Sequence, residues 1–585
     1  MCMWCRKSEF SEHLTAEFSD KRRRMMLFAG AGSVTAAFHA SLSAQSVEAS
    51  DTVFRNGSIY TMSGKAEKVE ALAVRNGKIL ATGSVDQVMS LANNKPTLIN
   101  LEGRAVFPGF IDPHNHVVLS SLFNQLLVNV GFSIYKSKAE VASFMKATAA
   151  KTPAGQWLAF GAYDNLLQGG DWSMAELNNI STTHPIFLFY VNGHVGAANA
   201  MAFSKANIPQ NIGMIPGGGY FGRDRDGHLN GLIYNEPAVM KILDLAIPKP
   251  NAELLEKAVI QYAKQAAASG LTTVHEPGTV KPQWVESLAK LSNHLPIRMS
   301  ASFSSDAVEE SKQYTSLGPS NRARILPNSR FSLFGMKCWT DGSNQAESAA
   351  QTHPYLNTDK KGTKSYTQEQ MIEICKKVKT ADWTMLAHCQ GDAAIDEYLN
   401  ALEAVYGANP AMGLMRVEHA TMVRQDQLER IKKLGYEVTF MTDFVYLYGA
   451  AYRDSIFGPA RAEFMIPCGA AHRAGLQYSV HSDNPAAGLP LNPLRHVQIQ
   501  LERRCVADGS IVGAQQAVDL DTALRAITIN PARHIGMEHM LGTLEIGKEA
   551  DLTILESDPF KTAINSISSI KMSETWIAGQ KADKT

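Results

Sequence analysis

Two histidines separated by one residue, His114 and His116, end an apolar stretch that begins at Phe107. On a β-strand, residues i and i+2 point to the same side, so the two imidazoles face one spot. If the strand belongs to a closed parallel barrel, that spot lies in the barrel mouth, where two imidazoles can hold a divalent metal ion. The pair therefore constrains both the fold and the chemistry of the chain.

The length and charge balance of the chain narrow the classes of protein it can belong to. Its 585 residues exceed one core of ordinary size, so a large domain and at least one smaller unit are expected. Apolar residues make up 45% and charged residues 19%, as in a globular protein. The 56 basic residues balance 56 acidic ones, which argues against nucleic acid and anionic membranes as partners. We therefore expect a small-molecule substrate and no membrane insertion, and leave a homo-oligomer open.

The amino-terminal segment has the layout of an export signal. Basic residues 21–24 precede a mildly apolar stretch from Met25 to Gly32, and small residues follow up to Ala44. This order resembles a twin-arginine signal and predicts export of the chain to a bacterial periplasm with removal of residues 1–44. A cytoplasmic protein with a disordered extension is the alternative. The cysteines beyond residue 44 are odd in number and scattered, so they do not form a disulfide framework.

Short strands with turn residues occur near both ends of the chain. Residues 53–60 and 71–80 place Asn-Gly pairs among β-formers, and residues 550–555 read as a similar short strand. Neither end carries enough apolar surface to stand alone, so the two are expected to pack together. The prediction is a small β-sandwich built from residues 45–107 and 541–585.

Between these ends, apolar strands alternate with helical stretches, a pattern typical of a parallel sheet in an α/β protein. Eight strand candidates predict a TIM-type (β/α)8 barrel over residues 108–540. The candidates are Phe110–Ile111, Leu271–Val274, Arg298–Ala301, Phe334–Lys337, Thr384–His388, Met415–His419, Tyr436–Phe440 and Gln477–His481.

The first two strand candidates are separated by far more residues than a helical crossover needs. Residues from about 152 to 249 are therefore predicted to form an insertion, which contains Gly217, Gly218 and Gly219 among several turn-like pairs. Insertions of this kind often cover an active site.

Potential metal ligands end or follow four of the later strand candidates. Lys337 ends the fourth, His388 the fifth and His419 the sixth, and Asp483 follows the eighth. In a parallel barrel the carboxyl ends of all strands meet on one face, where barrel active sites lie. Together with the histidine pair, these residues predict a site of six donors on that face. Histidines satisfied by core contacts and a solvated lysine are the ordinary alternatives.

The residues around these donors resemble the amidohydrolase superfamily, and within it amidohydrolase family 3, the branch of N-substituted formamide deformylase-like metal-dependent hydrolases. The resemblance extends from about Val53 to Ala578. Its matching stretches are Pro108–His116, Gly155–Asp164, Pro185–Asn199, Gly231–Glu236, Gly270–Gly278, Gly335–Ser343, His388–Asp392, Arg416–Ala420, Gly475–Pro485 and Ile527–Ala532. It implies a barrel with a β-sandwich made from both chain ends, which the strand pattern also predicts.

The resemblance also implies a role for each donor. The pair His114 and His116, with Asp483, corresponds to the ligands of one metal ion, and His388 with His419 to those of a second. Lys337 corresponds to a bridging ligand, as a carbamate formed with carbon dioxide. Imidazole and carboxylate donors suit Zn²⁺, and other divalent ions share this preference. The expected cofactor is therefore one or two divalent ions, with Zn²⁺ favoured.

The reaction that the resemblance implies is hydrolysis of an amide-like C–N bond, other than a peptide bond, in a small organic substrate. A bound metal ion lowers the pKa of water from 15.7 to about 7 and so provides an activated hydroxide. Asp483 is the expected catalytic residue, which takes a proton and passes it to the leaving amine. His194, His275 and Tyr163 correspond to substrate-facing positions. A lactonase or deaminase on the same metal centre, or a non-catalytic regulatory or sensing relative, remains an alternative.

Overall fold

The computed structural model of the chain describes residues 51–582 apart from residues 66, 94, 194, 216–218, 250, 319–321 and 408–413. The predicted export signal in residues 1–44 lies outside the described residues. Within the described ranges, no helix combines the length and the apolar character needed to cross a membrane.

The strands are numbered in chain order. They are β1 (Thr52–Tyr60), β2 (Lys68–Arg75), β3 (Lys78–Gly83), β4 (Thr97–Asn100), β5 (Ala105–Pro108), β6 (Phe110–Asp112), β7 (Val128–Asn129), β8 (Leu158–Tyr163), β9 (Ile186–Tyr190), β10 (Val195–Ala198), β11 (Tyr220–Arg223), β12 (Leu229–Tyr234), β13 (Leu271–Pro277), β14 (Arg298–Ser304), β15 (Arg324–Ile325), β16 (Phe331–Trp339), β17 (Thr384–Cys389), β18 (Arg416–His419), β19 (Glu437–Phe440), β20 (Ser479–Val480), β21 (Leu552–Leu555), β22 (Met572–Ile577) and β23 (Gln580–Lys581).

The helices are numbered in the same way. They are α1 (Val85–Leu91), α2 (Val117–Leu126), α3 (Lys138–Ala149), α4 (Asn165–Gln168), α5 (Met174–Asn178), α6 (Ala200–Lys205), α7 (Glu236–Ala246), α8 (Ala252–Ala268), α9 (Val285–Ser292), α10 (Val308–Ser311), α11 (Gln368–Thr380), α12 (Asp392–Tyr406), α13 (Gln425–Leu434), α14 (Asp443–Ala451), α15 (Pro459–Ala462), α16 (Cys468–Arg473), α17 (Pro493–Glu502), α18 (Leu520–Arg525) and α19 (Ile529–His534). Short 3-10 segments lie at Pro282–Trp284, Ser305–Ala307, Lys312–Leu317, Ala514–Gln516, Pro559–Lys561 and Ile564–Ser569, and a π-helical turn at Tyr452–Ile456.

Eight parallel strands form a nearly closed barrel in the middle of the chain. Their order around the sheet is β6, β13, β14, β16, β17, β18, β19 and β20. Between β20 and β6, the carbonyls of Ala526 and Ile527 accept hydrogen bonds from the backbone of Val480 and Ile111 at 3.1 and 2.9 Å. Each of the eight strand candidates coincides with one barrel strand, so the predicted TIM-type barrel is confirmed.

Two helices that connect barrel strands begin at capping residues that can be recognised in the sequence. Helix α8 starts after Asn251, whose side chain accepts a backbone hydrogen bond in the first turn, and it ends just before Gly270 at φ +88°. Helix α11 starts with a capping box between Thr367 and Gln370. Apolar residues of α8 recur every three or four positions and are buried towards the barrel. These helices therefore pack their apolar sides against the barrel.

The two ends of the chain join in one eight-stranded sheet. Its order is β23, β22, β21, β5, β1, β2 and β3, with β4 paired to β1. The junction is the antiparallel pair of β5 and β21, in which Val106 lies opposite Ile554. A buried cluster that includes Phe54, Leu72 and Trp576 combines apolar residues from both ends. This sheet therefore contains both sets of short strands that the sequence predicts to pack together.

A third sheet lies between barrel strands β6 and β13 in the chain. Its six strands are arranged in the order β11, β12, β10, β9, β8 and β7, and it runs from Val128 to Tyr234. The added structure thus begins earlier than the predicted insertion of residues 152–249. The hydroxyl of Tyr448 in α14 donates to Asp164 Oδ2 at 2.6 Å and ties this sheet to the barrel.

Candidate active site

The predicted ligands His114, His116, Lys337 and Asp483 converge at the carboxyl ends of the barrel strands. The Nε2 atom of His114 lies 3.2 Å from Asp483 Oδ1 and 3.3 Å from Lys337 Nζ. The Nε2 atom of His116 lies 3.3 Å from the same Asp483 oxygen. The strand ends therefore bring two imidazoles, a carboxylate and an amine into one cluster.

The other two predicted ligands complete this cluster on the next strands. The ring of His419 lies with its centroid 4.7 Å from that of His114 and 4.6 Å from that of His388. The Nε2 atom of His388 lies 3.0 Å from the carbonyl oxygen of Gly342. When Nε2 donates to that carbonyl, Nδ1 of His388 carries the lone pair and is available to a ligand.

Each histidine of the His-x-His pair is oriented by a buried carboxylate. His114 Nδ1 hydrogen-bonds Glu418 Oε2, and His116 Nδ1 lies 3.1 Å from Glu276 Oε1. Because Nδ1 is occupied in both rings, Nε2 is the atom that each presents to the cluster. Pairs of this kind fix the ring orientation of metal-ligating histidines. Sequence reasoning assigned neither carboxylate a role, although Glu276 follows one candidate histidine and Glu418 precedes another.

The two carboxylates are themselves held in place. Glu276 Oε2 accepts a hydrogen bond from the backbone N–H of Val118 at 2.8 Å. Glu418 Oε1 accepts one from Arg416 Nε at 2.5 Å. Burial raises the pKa of Glu418, but Arg416 and His114 outweigh this effect and hold that pKa well below its usual range. Glu418 is therefore ionised and can accept the hydrogen of His114 Nδ1.

The pKa shifts in the cluster favour positive charge at His116, beside the carboxylates, and a neutral ring at His388, beside Lys337. Burial lowers the pKa of His116, but hydrogen bonds to Asp483 and Glu276 outweigh it and raise that pKa to about 10. On the other side, burial and the nearby Lys337 lower the pKa of His388 to about 3. The carboxylates thus stabilise positive charge, while His388 keeps an unprotonated nitrogen for coordination.

Unpartnered ring nitrogens provide a test of whether a metal ion fits. Among the described residues, Nδ1 of His419 and both nitrogens of His481 are buried without a hydrogen-bond partner. Possible ligand atoms of His114, His419 and His481 lie within 4.8 Å of one another, as do those of His114, His116 and Asp483. An unsatisfied buried polar group costs about 1–3 kcal/mol. A divalent ion would satisfy one nitrogen of each of these rings, so the residues fit the expected cofactor.

Lys337 is completely buried, and its environment is unusual for a lysine. Across the described ranges, no carboxylate lies within 4.0 Å of its Nζ atom, and its hydrogen-bond contact is His114 Nε2. Gly278, at φ +86°, packs against its stem, since a Cβ there would lie 2.8 Å from Lys337 Cβ. The backbone thus confines Lys337 to the cluster.

Two of the three predicted substrate contacts, His275 and Tyr163, are buried and hydrogen-bonded within the protein. Both ring nitrogens of His275 lie 3.0 Å from serine hydroxyls on the neighbouring strand, those of Ser300 and Ser302, and the ring is fully buried. The hydroxyl of Tyr163 donates to a backbone carbonyl at 2.7 Å, and its ring is buried in the core of the third sheet. These contacts fix the position of both side chains. His194 lies outside the described residues.

A cavity of about 380 Å³ lies between α2, α8, the third sheet and residues 484–491. Most of its lining is apolar, with Phe123, Phe189 and Val191 among the contributors. Its wall includes Asn484, the residue after Asp483. The volume falls in the range of small-molecule pockets, so the cavity has room for a small organic group close to the donor cluster.

Replacing Glu276 with glutamine is expected to weaken metal binding by about 10- to 100-fold, because His116 loses the charged partner that orients its ring. The dissociation constant of Zn²⁺, measured by competition with a chromogenic chelator, would register the change. Glu437→Gln is the matched control, since Glu437 pairs with the buried His534 at the amino end of β19. An unchanged constant for Glu276→Gln would contradict the assigned role of Glu276.

The fold is that of a barrel enzyme, and the donor cluster is a candidate metal site of imidazole and carboxylate groups. Residues 97–582 match the model of the amidohydrolase family, and the chain belongs to this family. It is therefore an amidohydrolase, a hydrolase of carbon–nitrogen bonds.

Three proteins illustrate what the chain is similar to in sequence or in fold. The chain is 25% identical over 549 residues to N-substituted formamide deformylase of Arthrobacter pascens, a match that covers 90% of this chain and 97% of that protein. It is 24% identical to Protein LONG AFTER FAR-RED 3 of Arabidopsis thaliana, with 91% of each chain covered. The crystal structure of a metal-dependent hydrolase from Pyrococcus horikoshii superposes with a TM-score of 0.68 at 22% identity over 88% of this chain and 99% of that one.

Proposed function

We propose that the chain hydrolyses an amide-like C–N bond, other than a peptide bond, in a small organic substrate, using one or two divalent metal ions. The observation that carries this proposal is the convergence of His114, His116 and Asp483, with both imidazoles oriented by buried carboxylates. The similarity to a formamide deformylase over 90% of the chain supports this bond type.

Each ligand proposed for the metal centre lies at the end of a barrel strand and offers a nitrogen or oxygen donor atom. One group, proposed for the first ion, consists of His114, His116 and Asp483. The second group, proposed for another ion, consists of His388 and His419, with Lys337 as a carbamate between the two. A bound divalent ion polarises a carbonyl oxygen and lowers the pKa of water from 15.7 to about 7. Mixed imidazole and carboxylate donors favour Zn²⁺ or a similar ion.

Asp483 is the proposed proton carrier of the reaction. Burial raises its pKa, but the neighbouring His114 and His419 outweigh this effect and hold that pKa well below the usual range, so Asp483 is ionised. Its side chain is 13% exposed, so water can reach it. Asp483 therefore takes a proton from the attacking water and delivers it to the leaving nitrogen, which departs as an amine while the acyl part leaves as a carboxylate.

The residues around Asp483 limit its movement. Its two oxygens lie among three imidazoles, with Oδ1 at 3.2 and 3.3 Å from His114 and His116 and Oδ2 at 4.0 Å from His419 Nδ1. Its backbone N–H donates to the carbonyl of His114 at 3.0 Å. The carboxylate is thus held in one position before substrate arrives, which favours proton transfer.

Removal of the metal tests the proposed function. We expect the purified chain to contain at least one divalent ion, to lose hydrolysis of N-acyl or formamide substrates on treatment with a chelator, and to regain it with Zn²⁺ or Mn²⁺. Metal analysis and product release, followed for formamide, N-acyl and lactone substrates in parallel, provide the measurement. A metal-free chain that hydrolyses the same substrate, or a metal-loaded chain that turns over none of the amides, would refute the proposal.

A further inference from the structure

His481 lies in the donor cluster although none of the proposed metal-ligand groups uses it. It follows β20 directly, and its backbone N–H donates to Phe440 O at 3.1 Å, so it continues the strand pairing. Asp483 is two residues further on, the same spacing that separates His114 from His116. The eighth strand thus ends in a His-x-Asp pair where the first ends in a His-x-His pair.

The ring of His481 is packed between two proposed ligands. Its centroid lies 4.7 Å from that of His114, at an angle of 20° between the planes, and 5.0 Å from that of His419. Its exposed fraction is 1%, so bulk water does not reach it. The imidazole is therefore fixed inside the barrel mouth.

Both nitrogens of His481 are without a hydrogen-bond partner in the described part of the chain. Two other buried histidines, His534 and His275, differ in this respect. His534 bonds Ser479 Oγ at 2.7 Å and Glu437 at 3.2 Å, and both nitrogens of His275 meet serine hydroxyls. Because a buried imidazole without partners is costly, the position of His481 indicates a ligand for the nitrogen that carries its lone pair.

We propose that His481 is a metal ligand that acts with His419, beside the group of His116, Asp483 and His114, to which His114 already presents its Nε2 atom. The inference rests on the proposed metal-dependent function and deepens it. Possible ligand nitrogens of His419 and His481 lie within 4.8 Å of each other, so the two rings border one small volume. Imidazole ligands select borderline ions such as Zn²⁺ over Mg²⁺ or Ca²⁺, which prefer oxygen.

Two variants of His481 test this assignment without depending on catalysis. For His481→Asn, we expect the dissociation constant of Zn²⁺ to rise at least about 10-fold, since loss of even an outer-shell partner has effects of this size. For His481→Cys loaded with Co²⁺, we expect a new thiolate-to-cobalt charge-transfer band in the near-ultraviolet spectrum, because a cysteine at a ligand position coordinates the ion. His534→Asn is the control, a buried histidine beside the same strand that should leave metal affinity unchanged.

The outcomes separate this inference from the proposed function. A wild-type chain that binds no divalent ion refutes the metal-dependent function together with the role of His481. A wild-type chain that binds metal, with an affinity in His481→Asn equal to that of His534→Asn, refutes the role of His481 alone. Should His481→Asn fail to fold, His481→Cys decides, and absence of the charge-transfer band overturns the assignment.

Discussion

Replacing Asp483 with asparagine is expected to reduce kcat for an amide substrate by about 10²- to 10⁴-fold, the range of a general acid–base contribution. The amide cannot accept the proton that the carboxylate takes from water, while it fills nearly the same volume between His114 and His116. The folded state should therefore persist, with a circular dichroism spectrum like that of the wild type. Steady-state kinetics on the substrate identified for the wild-type chain measure the loss.

Asp558→Asn is the matched control for this variant. Asp558 is also a buried carboxylate, but it accepts hydrogen bonds from Tyr60 of β1, in the sheet formed by the two chain ends. We expect its kcat to remain within about twofold of the wild type. If Asp483→Asn keeps its turnover with metal bound, Asp483 is a ligand or a structural residue and another group carries the proton.

The barrel could be predicted because its strands are buried on both faces. Such strands appear in the sequence as short apolar runs between turn residues, and all eight barrel strands show this pattern. The beginning of the third sheet could not be predicted in this way. Its first strand, Val128–Asn129, has only two residues and both are exposed, so no apolar run marks it.

That the donor residues meet at one end of the barrel could be predicted from the order of the strands. The surroundings of individual side chains could not. Strand β13 extends to Pro277, so His275 lies within the barrel beside Ser300 and Ser302 instead of at a free strand end. In the third sheet, Ala162 lines the cavity while the next residue, Tyr163, is in the core. The exact end and register of a strand depend on tertiary pairing, which local pattern does not determine.

A second limit of prediction from the sequence concerns the contacts of Glu276, Glu418 and His481. An acidic residue beside a histidine in the sequence is common, and only the fold shows that its carboxylate reaches a different histidine more than a hundred residues away in the chain. His481 was part of a strand candidate, and its spacing to Asp483 repeats that of His114 to His116. Spacing therefore carried a usable signal for His481, while the carboxylate partners required the three-dimensional arrangement.

Replacing Lys337 with alanine is expected to lower kcat about 100-fold or more and to reduce the bound metal, because the proposed carbamate supplies a bridging carboxylate. An ammonium group at this position would repel a nearby cation, and none of the described carboxylates lies within 4.0 Å to offset it. A neutral amine instead adds to carbon dioxide with loss of a proton and becomes an anion. Added formate or acetate should then restore activity to Lys337→Ala by occupying the vacated volume.

The choice of rescuing agent distinguishes the two chemical states of Lys337. Rescue by a small carboxylate supports the carbamate, whereas rescue by ethylamine and not by acetate would show that the ammonium form acts. Wild-type apoprotein reconstituted with Zn²⁺ in ¹³C-bicarbonate should also show a carbamate carbon in its NMR spectrum, and Lys337→Ala should lack it. The stem of Lys337 packs against Gly278, which confines the amine beside His114 before carbon dioxide adds. A wild-type spectrum without the carbamate resonance would therefore contradict the bridging role of Lys337.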